Sequence, residues 1–527
     1  MKYTSIRKRI GTVVIAGVTA LSMAVSVYAG EAESSSVGVS EMAEEVSVST
    51  SETAEGSSSS VSEAAEEAED TAVSGEAFED SSDGGHAIEA DGETVSYTGI
   101  SVKKTGEAEG DEADFYGENA AVFATNGASL EITDSTVTTD GTHANGIFSY
   151  GEGTTVHVSD TTIETSGNCS GGLMTTGGGT MQAENLTIHT TGNSSAAIRS
   201  DRGGGTVQVT EGSYTTDGVG SPVIYSTADI TVSDAEMTST SAQGVVVEGK
   251  NSVTLNNVSL TADNTSKNSD KSDYYQAVMI YQSMSGDAAE GEASFAMNGG
   301  TLTNLNGDIF FVNNTVASID LNGAEIVNED EEGVFLRAAA AGWGNEGANG
   351  GHVTMTAADQ EITGDLLVDE VSSLNLYLTG TSVLEGAVNP DGTAGEIYVE
   401  VGENASWTLT GDSYITSLTC DADAVDLNGY TLYVDGEAYE EGTASEGEAV
   451  VVEISAGKEK GDRPDAPPEG KTGRPMGKGG QKDGKNGSGS DSGRQQKNGE
   501  QPDGTGERPA APPEGDPGEM PSAEQTS

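Results

Sequence analysis

Between residues 120 and 376 the apolar side chains fall into three recurring columns. Each alternates with polar neighbours, as on a strand with one buried face. The first column holds Val122, Ile147, Leu173, Ile198, Ile224, Val246, Ile280, Ile309 and Phe335, and its first four steps are 25, 26, 25 and 26 residues. The second is an apolar–any–apolar pair: Leu130/Ile132, Val156/Val158, Val207/Val209, Ile230/Val232, Val253/Leu255, Phe295/Met297, Ile319/Leu321, Val353/Met355 and Leu374/Leu376. The third carries Val137, Ile163, Ile188, Tyr214, Met237, Leu260, Leu302, Ile326 and Ile362. Gly, Asn, Asp and Ser fill the gaps, where the chain must turn.

A period of this length marks stacked units. Three short strands per step, with no helix between them, predict one coil of a three-sided solenoid. Each strand then pairs in parallel with its counterpart one coil away, at a spacing of ~4.8 Å. The predicted fold is all-β: a right-handed parallel β-helix of the pectate-lyase type, flanked by disordered tails. Ten to twelve coils would make a rod on the order of 50 Å long. A β-sandwich would show hairpin spacing and a more aromatic core, whereas aromatic residues here are only 5% of the chain. An open coil edge invites association, so both ends need caps. Residues 86–118 are expected to cap the start. The stretches around Trp407 and residues 430–433 are expected to close the end.

The flanks read differently. Residues 1–29 have a basic start (Lys2, Arg7, Lys8, Arg9), an apolar stretch over 11–25 and a small-residue cleavage pattern ending at Ala29. That is the pattern of a secretory signal peptide. Its apolar run is shorter than the ~20 residues of a spanning helix, and no transmembrane segment is expected after cleavage. Residues 30–85 are rich in Ser, Glu and Ala and read as a disordered acidic spacer. The solenoid domain is assigned to 86–454. Residues 455–527 hold ten of the twelve prolines and two near-copies of one motif, at 463–470 and 508–515. This is an extended, disordered Pro/Gly/Lys-rich tail, whose basic residues suit contact with an anionic cell wall.

The chain's net charge of −64 is unevenly spread. Residues 30–454 hold eight basic side chains against 74 acidic ones, and the tail is nearly neutral. Such a body repels nucleic acid, which is not expected as a partner. Cys169 and Cys420 fall in distant coils, beyond the ~7 Å reach of a disulfide. Stability must then come from the stacked core.

Three segments carry a resemblance: Gly171-Gly172-Leu173-Met174-Thr175-Thr176-Gly177-Gly178-Gly179, then Ser195-Ala196-Ala197-Ile198-Arg199-Ser200-Asp201-Arg202-Gly203-Gly204-Gly205, then Ser221-Pro222-Val223-Ile224-Tyr225-Ser226. With Val247-Glu248-Gly249-Lys250 they make residues 90–440 similar to a family of secreted, adhesin-like β-helix proteins of Gram-positive gut anaerobes. The resemblance implies the fold, export and a surface role. It implies no reaction and no catalytic residue.

Chemistry is sparse along the columns. Enzymes on this type of fold cleave acidic polysaccharides with clustered carboxylates and a basic residue. None of the five histidines here sits in such a context, and no catalytic residue is assigned. Arg199, Asp201 and Arg202 stand out, because two of the eight basic residues of the body fall within four positions. They offer a site for a carboxylate or sulfate on a glycan, since guanidinium binds such groups bidentately. An internal Arg–Asp brace of a Gly-rich turn is the alternative. No EF-hand or calcium nonapeptide pattern occurs, so no cofactor or metal site is predicted, and dispersed carboxylates allow only weak calcium binding.

Three insertions break the repeat: 263–276 with Lys267, Lys271, Tyr274 and Tyr275; 282–291; and 338–351 with Trp343. Insertions leave a solenoid as loops and build its binding surface. Tyr274, Tyr275 and Trp343 are therefore the candidate sugar-stacking residues. The expected function is a secreted or cell-surface binding or structural module for glycan or surface ligands. A lyase or hydrolase on acidic polysaccharide is the alternative.

Overall fold

The computed structural model describes residues 71–452, apart from 268, 393 and 394. The stretch expected to be a signal peptide, most of the expected acidic spacer and the expected C-terminal tail lie outside the described residues. What is described is a parallel β-helix. Eleven strands, from Ile88–Asp91 to Leu366–Val368, form one face. A 22-stranded sheet forms the other two, because Gly179–Thr190 and Gly205–Thr216 run unbroken round the corner and join two ladders into one. Beyond a closing hairpin, the strand pairings are parallel, with partners one coil apart.

The third column is realised residue for residue. Val137, Ile163, Ile188, Tyr214, Met237, Leu260, Leu302 and Ile326 are register partners in one ladder. Ile362 instead heads a separate four-stranded ladder with Leu384, Trp407 and Val425. The first column slips after Ile224. Its partner is Val245, not Val246, and Val246 faces away from the core opposite Tyr225. Val245, Val246 and Val247 are all apolar, so alternation supplies no phase there, and a one-residue slip changes the face.

Turns obey the same stacking. Asp134, Asp160, Asn185, Glu211, Asp234 and Asn257 recur at one corner with φ between 48° and 60°. Asn and Asp tolerate this left-handed region better than most side chains. Asn185 Nδ2 donates to Asp160 Oδ1 at 2.6 Å, and Asn257 Nδ2 to Asp234 Oδ1 at 2.7 Å. At another corner Gly141, Gly167, Gly192 and Gly218 lie directly over one another. A Cβ at Gly192 would sit 1.8 Å from the carbonyl oxygen of Gly167. Only glycine allows coils to approach so closely there.

The rod is longer than its repeat suggests. Strands Thr71–Ser74 and Ala77–Asp80 fall where the acidic spacer was expected and pair with the next coil. Val73 and Phe78 pack on the core, which offsets the ordering of an otherwise polar stretch. Residues 86–118 are likewise not a cap. Ile88–Asp91, Thr94–Thr98 and Ser101–Lys104 make a regular coil, and the rest is a loop holding the short helix Asp111–Phe115. Lys104 takes an inward position next to Thr139 and is fully buried. Its ammonium pairs with Asp80 at 3.1 Å and donates to Ser82 O at 2.6 Å, so the buried charge is matched. At the other end, Trp407 is fully buried with its indole N–H donating to Gly386 O at 3.0 Å. There the antiparallel pairing of Leu432–Val434 with Glu437–Ala438 turns the chain back.

Leu255 is fully buried between Val232 and Met297 in the second ladder. Leu255→Ala is expected to cost about 2–5 kcal/mol, read as a lower urea midpoint in the circular dichroism of the strands.

Candidate functional site

One residue after each inward member of the eleven-stranded face, a second column points outward. Its register partners are Phe123, Phe148, Met174, Arg199, Tyr225, Val246, Met279, Phe311 and Arg337. A row so apolar on the outside of a rod demands cover, and the loops supply it. Residues 105–121 lie over the first part. Phe123, Phe148, Met174 and Ala120 form an outer cluster with Tyr150, and the Tyr116 ring meets Tyr150 edge-on at 5.8 Å. Thr176 Oγ1 ties this loop down by donating to Phe115 O at 2.7 Å. Val246, Met279, Phe311 and Ala339 form a second outer cluster, on which Tyr274, Tyr281, Ala341 and Trp343 pack.

Between the clusters the column turns polar, and Arg199 and Arg202 hold the junction. Arg199 donates to Asp201 Oδ2 at 2.8 Å, and Asp201 is only 5% exposed. Burial raises the Asp201 pKa, against the pull of the Arg199 charge. Arg202 donates from Nε and Nη2 to Asp287 Oδ1, at 3.1 and 2.7 Å. Its guanidinium carbon also lies 3.8 Å from the centroid of the Phe115 ring, and Asp111 is 3.6 Å away. Both guanidiniums are thus engaged internally, the brace rather than the open anion receptor. Arg202 fastens insertion 282–291 to the helix-bearing loop.

The other two insertions meet each other. Gly342 N donates to Lys271 O at 2.7 Å. Asn349 Nδ2 knits its own loop by donating to Ala341 O at 2.6 Å and Trp343 O at 2.8 Å. Where they meet, the insertions leave a groove of about 240 Å³ over the outward column. Tyr225, Val246, Met279 and Tyr281 line it from the strands, and Tyr274, Trp343, Lys267 and Lys271 from the insertions. Trp343 stands edge-on to Tyr281 at 5.2 Å, and Lys271 Nζ is 5.7 Å from its ring centroid. Gln243, Asn264, Gln276 and three serines add polar lining, and among the described residues no Asp or Glu lines the groove.

Behind the groove, Tyr225 and Tyr281 both donate to Glu248 Oε2, Tyr281 at 3.0 Å. Burial first, and the nearby Glu248 charge with it, push both phenol pKa values well above the ordinary 10.0. Both remain protonated donors, which fixes their rings. Gln276 is 2% exposed, and its Oε1 is buried without a hydrogen-bond partner, as is Glu248 Oε1.

Tyr274 and Trp343 are thus brought together, half-buried on the rod. Tyr274 also meets Phe311 at 5.4 Å and has the Arg337 guanidinium 4.2 Å from its centroid. Tyr275 faces away, toward a second hollow of about 260 Å³ beside Asp273, Asp308, Asp330 and Arg337. Lys267 Nζ lies 4.8 Å from its ring centroid. Among the described residues no group of three or more His, Cys, Asp or Glu side chains is placed to hold a metal ion. Sequence reasoning missed Tyr225, Glu248, Gln276 and Tyr281. The outward column itself was the available signal, because a solvent-facing row should not be apolar. No protein-family model matches the chain, and no curated protein matches it in sequence.

The helix-bearing loop is latched by charge. His143 donates from Nδ1 to Ala108 O at 2.9 Å, and its Nε2 lies 2.5 Å from Asp114 Oδ1. Burial works against the imidazolium, but hydrogen bonds to Asp114 and Cys169 outweigh it and raise the pKa from 6.5 to about 10. The His143 hydrogen bond lowers the Asp114 pKa below 3.8. A raised folded-state pKa stabilises fully below 6.5, and the effect is lost as pH rises through about 10. The Asp114 contribution is present above 3.8 and lost as pH falls through its depressed value. His143→Gln is therefore expected to lower the melting temperature near pH ~6 and to differ little from the parent near pH ~11. Amide exchange over residues 105–121 checks that the loss is local.

Proposed function

We propose that this chain is an exported binding module that holds a sugar ring in the groove between insertions 263–276 and 338–351. The observation that carries the reading is the gap that the two insertions leave over the outward column. There Tyr225, Tyr274, Tyr281 and Trp343 surround a groove with amide, hydroxyl and ammonium groups at its sides. Aromatic faces suit the flat C–H face of a pyranose, and a few placed polar groups suit its hydroxyls. The rod supplies rigidity: the groove's strand residues are fixed by ladder pairing. The groove lies on the rod itself, as a surface-displayed, adhesin-like binding module would require.

In this groove binding is favoured over catalysis by composition, whereas the second hollow sets Asp273, Asp308, Asp330 and Glu332 beside Arg337, which Asp308 engages at 2.6 Å. Hydrolysis by paired carboxylates needs two positioned acids, and no described Asp or Glu lines the groove. Arg199 and Arg202, the basic groups a lyase reading would use, are committed to Asp201 and Asp287.

A glycan array with the full secreted chain, followed by calorimetry on its best hit, tests the reading. Trp343→Ala is expected to weaken that hit about tenfold and to leave the strand circular dichroism unchanged. An array with no hits, or a hit indifferent to Trp343→Ala, counts against it.

A further inference from the structure

The charge around the groove is the reverse of the charge around the rod. Residues 30–454 carry 74 acidic side chains and only eight basic ones. A lining of that average composition would be rich in carboxylates. Instead the described lining holds no Asp or Glu, and it holds two of the eight basic residues, Lys267 and Lys271. Among the described residues Lys271 makes no ion pair, and Lys267 has only a 3.9 Å contact with Asp273, which is fully exposed. A contact of that kind is screened and weak. Lys271 Nζ stands beside the Trp343 ring of the groove, and Lys267 Nζ, over the Tyr275 ring, reaches a ligand there by a change of side-chain rotamer.

The groove therefore asks for two things in one molecule: a flat apolar face for the aromatic rings and negative charge for the lysines.

We infer that the ligand is an anionic sugar, a pyranose carrying a carboxylate or a sulfate, with its charged substituent toward Lys267 and Lys271. This rests on the reading of the groove as a sugar site and adds the charge of the sugar. In so acidic a body, local placement of two cations is what makes an anionic ligand admissible. Their removal leaves the general repulsion uncompensated.

The test uses the full secreted chain and three tetramers of equal length: galacturonic acid, a sulfated galactan and the uncharged galactan. Each is titrated against the parent and against the Lys267→Gln/Lys271→Gln double variant, at ~0.05 M and ~0.5 M salt. A charged tetramer is expected to bind more tightly than the uncharged one and to lose that advantage in high salt. The double variant is expected to lose about tenfold for the charged tetramer and markedly less for the uncharged one, with an unchanged melting temperature. Whether carboxylate or sulfate binds identifies the substituent. Equal binding of charged and uncharged tetramers, or charged binding that survives the double substitution, overturns the anionic inference. If Trp343→Ala still weakens that binding, the sugar-groove reading stands without it. If the parent binds neither these tetramers nor anything on the glycan array, the reading itself fails and the inference with it.

Discussion

Strands within the rod take their hydrogen bonds from the coils before and after them, so each residue sits above its counterpart one coil away, 26 positions on in a regular coil and 42 across an insertion. That parallel registry is the constraint on which the rest depends. It requires an apolar side chain at each inward place, a left-handed corner at Asp134, Asp160 and Asn185, and a glycine at Gly167, Gly192 and Gly218. It also leaves little tolerance. One extra residue within a strand would turn its whole inward set to solvent, so length variation is confined to the corners. All three insertions lie between strands for this reason.

Registry also dictates where those insertions go. The outward column carries two apolar stretches, Phe123 to Met174 and Val246 to Phe311, and burying them is the gain available to a loop leaving a corner. Residues 105–121 and 338–351 fold back onto them, with Tyr116 and Trp343 as their aromatic contacts. The polar contacts then decide placement. Arg202 joins Asp287 to Phe115, His143 holds Asp114, and Asn349 closes the Trp343 loop. The groove is what remains where that cover is incomplete. Its floor is a ladder of strands, and its walls are loops pinned to that ladder, which suits recognition of a rigid ligand.

Sequence and structure agree most closely where side-chain period and burial coincide. The third column survives unchanged from Val137 to Ile326, because each member up to Leu302 is one apolar residue between polar neighbours. The first column failed at Val246, where three apolar residues in a row hide the phase. The start of the rod was missed because Val73 and Phe78 lie in a stretch whose composition resembles the acidic residues before it. Arg199, Asp201 and Arg202 were legible as an oddity of charge. The Arg199–Asp201 brace was one of the two readings, but the partner of Arg202 was not legible, since Asp287 lies 85 positions from it.

The sequence by itself determined the solenoid. A repeating apolar pattern reports burial, and burial of three strands per step has few geometric solutions. It also determined the acidity of the body, and it marked Tyr274, Trp343, Lys267 and Lys271 as residues outside the repeat. Only the tertiary structure decided that insertions 263–276 and 338–351 meet, that Glu248 fixes Tyr225 and Tyr281 behind them, and that Tyr275 turns away. Those outcomes depend on which loop covers which part of the outward column, and on single contacts such as Gly342 N to Lys271 O. Periodicity carries no information about contacts made once, between segments that do not repeat.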